Sequence, residues 1–169
     1  MHLLIVRHAI AEDRESFATS GQDDSLRPLT KEGRKKMRAS APGLRSAAPA
    51  VDVLATSPFV RAVETADIVA AAFRRPATHT VDALTPERSP SDFVDWMHTL
   101  QGADVVAVVG HEPHLGRLVS WLTSARKQPF LELKKGGACL LDLGSAPAPG
   151  TARLLWMLTP KQLRRIADE

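Results

Sequence analysis

Three short apolar stretches separated by helical sequence patterns constrain what this chain can fold into. Short runs rich in β-branched side chains are typical of strands that are buried on both faces, as in a mostly parallel sheet. The segments between them are long enough for helices, so the order of strand, helix and strand predicts an α/β fold. The three stretches lie at residues 3–6, 51–55 and 105–109.

Helices are predicted between and after these strands, and a final pair of strands completes the sheet. Residues 138–143 and 153–158 predict two strands that are joined by a Pro/Gly-rich loop and paired antiparallel. Together these elements predict three layers, α/β/α, around a mostly parallel central sheet with one antiparallel strand. The other predicted elements are helices after Thr30, from Pro58 to Phe73, from Pro90 to Gly102, behind Pro113 and from Thr159, and a short strand at residues 78–81.

Local sequence signals predict a loop, a helix interruption and a helix start. Residues 12–28 are polar and rich in turn formers, so they predict a long loop over the sheet edge. Pro42 predicts a kink or break near Ala41, because proline lacks an N–H donor and clashes with the preceding turn. Ser57 followed by Pro58 predicts a helix that begins with Ser57 as its cap.

Composition narrows the class of protein. A chain of 169 residues that is 44% hydrophobic and 24% charged predicts one globular domain over residues 1–169. No membrane-spanning stretch and no signal-peptide pattern are visible, so we expect a cytoplasmic protein that does not bind membranes. The net charge of +3 is spread along the chain, which suggests small anionic ligands at least as readily as nucleic acid, and we expect no nucleic-acid partner. The single cysteine, Cys139, excludes an internal disulfide.

Each of the three predicted strands is followed by cationic or imidazole side chains. Right-handed strand-helix-strand connections bring the carboxyl ends of parallel strands to one edge of the sheet, so we expect these side chains to converge. One of the arginines also lies in the first turn of a predicted helix, where free N–H groups and the helix dipole favour an anion. Such a pocket suits a phosphoryl group. The converging residues are Arg7, His8, Arg61 and His111.

Several motifs, taken in their order and spacing, resemble the histidine phosphatase superfamily and within it the SixA-type phosphohistidine phosphatases. Arg7-His8-Ala9 matches the Arg-His-Gly/Ala motif after the first strand, with alanine where glycine is commoner. Gly110-His111 follows the long apolar strand, as in the family. The other matching motifs are Arg27-Pro28-Leu29-Thr30, Ser57-Pro58-Phe59-Val60-Arg61-Ala62 with Glu64-Thr65, and Leu84-Thr85-Pro86.

This resemblance implies a phosphoglycerate mutase-like fold and a phosphatase that forms a phosphohistidine intermediate. It implies His8 as the nucleophile, with Arg7, Arg61 and His111 binding the phosphoryl oxygens and Arg27 as a further phosphate contact. The implied substrate is phosphohistidine in a partner protein such as a phosphotransfer domain, which would place the protein in signal transduction. No metal or other cofactor is implied, and phosphate or other small oxyanions are expected to bind in the pocket.

The chemistry of these side chains agrees with that role. A neutral imidazole has one nitrogen with a free lone pair, and nearby arginines disfavour the imidazolium form. Arginines also stabilise charge on the equatorial oxygens during phosphoryl transfer. An alkoxide leaving group needs a proton donor, whereas the imidazole of phosphohistidine leaves more easily. The candidate donors are Glu87, Glu64 and Asp82.

Alternative functions remain open at this level. The same pocket and mechanism would serve a small-molecule phosphomonoesterase, and a pocket without turnover would make a phosphate- or polyanion-binding module. A lone His8 would be interpreted as a structural histidine, but Arg7 beside it and His111 at a second strand end favour catalysis. His111 and His114 flank Glu112 and Pro113, which is not the His-Glu-x-x-His arrangement of zinc enzymes, so no metal site is predicted.

Overall fold

The computed structural model describes residues 1–168 and contains one six-stranded sheet. Its strands are β1 (His2–Arg7), β2 (Val53–Thr56), β3 (Ala77–Thr80), β4 (Val105–Gly110), β5 (Ala138–Asp142) and β6 (Arg153–Leu158). They are arranged in the order β3-β2-β4-β1-β5-β6. The pairs β1–β4, β2–β4 and β2–β3 are parallel, whereas β5 is antiparallel to both β1 and β6. The predicted sheet, with one strand running against the others, is confirmed.

Helices cover both faces of the sheet. Along β1, Leu3 and Ile5 belong to a core with the helices Pro90–Met97 and His114–Ser124. Leu4 and Val6 belong to a core on the opposite face, with the helices Lys31–Ala47, Val60–Ala72 and Pro160–Ala167. Alternate residues of the strand therefore point into two cores, which explains the continuous apolar run and confirms the three layers. No helix within residues 1–168 has the length and apolarity to span a membrane. The helices are α1 (Arg14–Ala18), α2 (Lys31–Ala47), α3 (Val60–Ala72), α4 (Pro90–Met97), α5 (His114–Ser124) and α6 (Pro160–Ala167).

The segment at residues 12–28 is more ordered than the predicted loop. It contains α1 and a single 3-10 turn, Asp24–Leu26. The side chain of Asp13 accepts a hydrogen bond from the amide of Ser16, and that of Asp23 accepts one from Ser25. These aspartates act as helix caps, which explains why a passage rich in turn formers folds into short helical turns.

Three helices also differ from the predictions. α2 continues through the exposed Pro42 without a break, because the residues around it, Ala41 and Gly43, are buried against the rest of the protein. α3 begins at Val60 after Phe59, and Ser57 does not cap it. α4 ends at Met97 and not at Gly102, while Ser89 and Asp92 form a capping box at its start.

The contact between α2 and α6 depends on a glycine. A Cβ atom at Gly43 would lie 1.8 Å from the carbonyl oxygen of Leu163 and 2.8 Å from its carbonyl carbon. Backbone atoms cannot yield as a flexible side chain does, so the two helices approach closely only because position 43 has no side chain.

We therefore predict that Gly43→Ala destabilises the protein, although the same change at an exposed helical site is favourable. The expected loss is about 1 to 3 kcal/mol in the free energy of unfolding, as for overpacked cores. Urea unfolding followed by circular dichroism measures it. The control is Ser46→Ala on the exposed side of α2. Equal stability of wild type and Gly43→Ala would contradict the close approach.

Candidate active site

The carboxyl ends of β1 and β4 bring the two predicted histidines together. Arg7 pairs with Gly110 in the parallel register, and the amide of His8 donates to the carbonyl of Gly110 at 3.0 Å. His8 and His111 therefore leave adjacent strands at the same level. Their ring centroids lie 5.1 Å apart.

A cavity of about 900 Å³ opens at this edge of the sheet. Glu87 from the loop after β3 lies on its wall, as do Phe17 of α1 and Lys135. We call this cavity the phosphate pocket. All the predicted catalytic and phosphate-binding residues line it, namely Arg7, His8, Arg27, Arg61 and His111.

The imidazole of His8 has a defined tautomer. Its Nδ1 lies 2.7 Å from the carbonyl oxygen of Ala9, which only accepts, so Nδ1 carries the proton and Nε2 has the lone pair. Burial lowers the pKa of His8 to about 3; the hydrogen bond to Ala9 opposes this shift, and the charges of Arg61, Arg7 and Arg27 add to it. His8 is therefore neutral near pH 7, with a lone pair on Nε2.

His111 is held by a serine that the sequence prediction had assigned to a helix cap. Its Nε2 lies 2.8 Å from the hydroxyl oxygen of Ser57, and Ser57 also accepts a long hydrogen bond from the amide of Phe59. The contact with Ser57 fixes the orientation of the His111 ring at the end of β4. Burial lowers the pKa of His111 to about 2, with added contributions from His8, Arg61, His114 and Arg27.

Asp24 holds two of the pocket arginines side by side. Arg61 donates to its backbone carbonyl at 2.8 Å and to its carboxylate at 3.1 Å, and Arg27 donates to the other carboxylate oxygen at 2.8 Å. Burial by itself raises the pKa of Asp24, but the hydrogen bond from Arg27 and the charges of Arg61, Arg27 and Arg14 hold it below its usual value. Asp24 thus offsets the repulsion between two buried guanidinium groups.

Arg7 is positioned by the segment that precedes β5. Its Nη1 donates to the carbonyl of Leu133 at 2.6 Å and to the carboxylate of Glu132 at 3.0 Å. Glu112 fixes that segment, because its two oxygens accept from the amides of Leu133 and Gly116 at 2.8 and 3.0 Å. Burial raises the pKa of Glu112. The residue after His111 therefore helps to orient the arginine before His8.

Several buried side-chain nitrogens have no hydrogen-bond partner within residues 1–168. Three of them belong to residues that line the phosphate pocket, namely Nε of Arg7, Nε of Arg61 and Nδ1 of His111, and the others belong to His114 and Arg164. Leaving a buried polar group unpaired costs about 1 to 3 kcal/mol. The pocket therefore concentrates unfavourable polar groups in one place, as functional sites do.

The three candidate proton donors, Glu64, Asp82 and Glu87, differ in whether they line the phosphate pocket. Glu64 accepts a hydrogen bond from the amide of Leu29 at 2.7 Å and forms an ion pair with Arg34, and it does not line the pocket. The prediction of Glu64 as a donor is not supported, because its carboxylate stabilises the start of α2. Asp82 is also outside the lining, at the start of a 3-10 turn. Glu87 is the one of the three that lines the pocket.

Three residues of the site were not found from the sequence as functional positions: Asp24, Ser57 and Glu112. Ser57 follows the carboxyl end of β2, so the argument that identified Arg61 would have found it as well. Asp24 lies three residues before Arg27, and this spacing is a weak sequence signal for an ion pair. Within the described residues, no group of three His, Cys, Asp or Glu side chains is arranged to hold a metal ion.

Comparison with known proteins agrees with this geometry. Residues 3–89 match the model of the histidine phosphatase superfamily (branch 1). A protein of uncharacterised function from Picosynechococcus sp. is 34% identical over 96% of this chain and 99% of its own length. The phosphohistidine phosphatase SixA of Escherichia coli is 27% identical, with 97% of each chain covered. The solved structure of protein histidine phosphatase SixA complexed with tungstate has a TM-score of 0.80 and 26% identity, covering 96% of this chain and 99% of that one.

The buried histidines predict how stability depends on pH. Unfolded histidine titrates near pH 6.5, whereas the pKa values of His8 and His111 in the folded protein are about 3 and about 2. The unfolded chain therefore binds more protons below pH 6.5, so stability present above that pH is lost as the pH falls. At about pH 5.5, each histidine should lower the free energy of unfolding by about 1.4 kcal/mol.

Urea unfolding of wild type and His111→Gln near pH 7 and near pH 5.5 measures this effect. The loss of stability between the two pH values should be smaller in the variant by about 1.2 kcal/mol, because about 0.2 kcal/mol has already been lost at pH 7. His79→Gln, at an exposed position of β3, is the matched control. An unchanged pH dependence in His111→Gln would show that His111 is not held neutral by the fold.

Proposed function

The chain belongs to the histidine phosphatase superfamily, and on that basis we propose that it hydrolyses phosphohistidine in a partner protein through a covalent intermediate on His8. The observation that carries the proposal is the convergence of Arg7, Arg61 and His111 on the pocket that contains the lone pair of His8. A tetrahedral oxyanion held by the free guanidinium hydrogens of the two arginines would have its central atom close to His8. The similarity to SixA supports the substrate class, and the tungstate in the SixA structure is itself an oxyanion.

In the first step, Nε2 of His8 attacks phosphorus in line with the bond to the substrate nitrogen. A bond from phosphorus to Nε2 forms while the bond to the substrate imidazole breaks, and the electron pair leaves with that imidazole. The ring of His8 becomes positively charged as its lone pair is used. The carbonyl of Ala9, which accepts from Nδ1 at 2.7 Å, stabilises this developing charge.

The arginines and His111 stabilise the phosphoryl oxygens during both steps. Each charge-assisted hydrogen bond contributes about 1.5 to 3 kcal/mol, and each 1.4 kcal/mol of transition-state stabilisation is about tenfold in rate. Asp24, Glu132 and Leu133 occupy only some of the guanidinium hydrogens, so Arg7 and Arg61 retain donors for the phosphoryl group. In the second step, the oxygen of a water molecule attacks the phosphorus of phosphorylated His8. The bond from phosphorus to Nε2 breaks, its electron pair returns to Nε2, and the protons of the water remain with the released phosphate.

We predict that wild type hydrolyses phosphohistidine peptides with a kcat/KM well above that for sugar phosphates. His8→Ala should lose at least about 1,000-fold in kcat/KM, since the nucleophile is gone. Steady-state phosphate release across a substrate panel measures both effects. An added chelator should leave the rates unchanged, because no step of this mechanism uses a metal.

The matched control for this panel is His79→Ala, which removes an exposed histidine that is not part of the pocket lining. Full activity in His8→Ala would contradict the mechanism. Binding of phosphate without hydrolysis of any substrate in wild type would instead identify a phosphate-binding module.

A second candidate function, a small-molecule phosphomonoesterase, is favoured by the position of Glu87. This carboxyl group lies on the wall of the pocket, where it is placed to donate a proton to a leaving alkoxide. A phosphohistidine substrate needs that proton less, because a protonated imidazole is a good leaving group. The effect of removing the carboxyl group therefore depends on the substrate.

We predict that Glu87→Gln leaves kcat/KM for phosphohistidine peptides within about threefold of wild type and lowers that for phosphomonoesters by about 100-fold, a typical contribution of general acid catalysis. Asp82→Asn, on the same loop but outside the lining, is the control. Equal losses on both substrate classes would contradict a leaving-group role for Glu87.

A further inference from the structure

A second cavity, of about 230 Å³, lies beside the phosphate pocket. Much of its lining is apolar and comes from the chain after His8, from α2 and from the start of α6: Ala9, Ile10, Met37 and Pro160. Its other side chains include four cations, Lys36, Lys135, Lys161 and Arg164. We call this cavity the basic crevice.

The basic crevice adjoins the phosphate pocket. Lys135 lines both cavities. The next residue, Gly136, also lines the crevice, and its amide donates to the carbonyls of Arg7 and His8 at 3.1 Å each. A substrate segment that extends from His8 past Lys135 therefore meets the crevice.

The positive charge of the crevice is largely uncompensated within residues 1–168. Lys36 forms an ion pair with Glu32, but Lys135, Lys161 and Arg164 form none, and no carboxylate is part of the lining. Nη1 of Arg164 is buried and has no hydrogen-bond partner. A buried donor without an acceptor beside uncompensated lysines favours an anionic group.

We propose that the basic crevice binds an acidic side chain and its apolar neighbour in the segment of the partner protein that carries the phosphohistidine. This inference rests on the proposed function and names the substrate feature that the site selects. The carboxylate contacts the cations of Lys161 and Arg164, while the apolar side chain covers Ile10 and Met37. A free phosphate ion would satisfy the cations but would leave the apolar wall in contact with water.

Because the crevice is separate from the reacting atoms, it acts on substrate binding and not on the chemical step. Contacts that are equal in the ground state and the transition state lower KM without raising kcat. The crevice should therefore increase kcat/KM for acidic partners through KM, and this preference should weaken as salt screens the charges.

Two phosphohistidine peptides test the proposal. They share one sequence, except that Asp and Glu beside the phosphohistidine in the first are Asn and Gln in the second. Wild type should prefer the acidic peptide by about tenfold in kcat/KM, through KM. The variant K161E/R164E should lose that preference and hydrolyse phosphoramidate, which is too small to reach the crevice, at the wild-type rate.

The matched control is R126E/K127E, which makes the same change in charge at exposed positions that line neither cavity. It should keep the preference for the acidic peptide. Lys161→Glu alone, at an exposed position of α6, is the second variant if the double change impairs folding. It should reduce the preference by about threefold.

Binding of the unphosphorylated acidic peptide, followed by fluorescence anisotropy, separates this proposal from the proposed function. If wild type binds this peptide more tightly than K161E/R164E does but hydrolyses no phosphohistidine, the proposed role of the crevice is supported and the proposed function is contradicted. An equal preference for the acidic peptide in wild type and K161E/R164E would contradict the proposal. If K161E/R164E keeps that preference but is inhibited less strongly by pyrophosphate, the crevice is a site for small anions, which would also contradict the proposal.

Discussion

The parallel register between β1 and β4 is the constraint on which the site depends. It pairs Arg7 with Gly110, so His8 and His111 emerge from neighbouring strands at the same level. β2 is tied to the same level, because the amide of Ser57 donates to the carbonyl of Val109 at 3.0 Å. A slip of one residue would turn every side chain of β1 to the opposite face and separate the nucleophile from its partners. Two apolar cores that alternate along β1 oppose such a slip.

Within that frame, the pocket combines neutral imidazoles with fixed cations. Burial and the arginines keep His8 neutral, and the carbonyl of Ala9 determines which nitrogen carries the lone pair. Asp24 offsets the repulsion between Arg27 and Arg61 without using all their donors. The unpaired buried nitrogens are unfavourable in the free protein. Under the proposed function, the fold therefore carries local instability at the place where the substrate would bind.

The parts of this arrangement that follow from local pattern were predictable from the sequence. Apolar runs that end on Arg7-His8 and on His111 predicted the strands and their shared edge, because parallel strands have few alternative connections. The contact of Asp24 with Arg61 and the placement of Glu64 were not predictable, since each depends on a partner distant in the chain. Glu64 lies near the motif arginine in sequence, yet the amide of Leu29 and the guanidinium of Arg34 hold it outside the pocket. The continuation of α2 through Pro42 was not predictable for the same reason, because packing against distant parts of the chain outweighed the local tendency of proline to break a helix.

Trapping the phosphorylated enzyme tests the central claim most directly. Wild type is mixed with a radiolabelled phosphohistidine peptide, quenched in alkali within one turnover and digested, and the labelled position is assigned by mass spectrometry and phosphorus NMR. The account predicts acid-labile, alkali-stable label on Nε2 of His8, because Nδ1 carries a proton that it donates to the carbonyl of Ala9. Label on Nδ1, label on another residue, or phosphate release without labelled protein would contradict it.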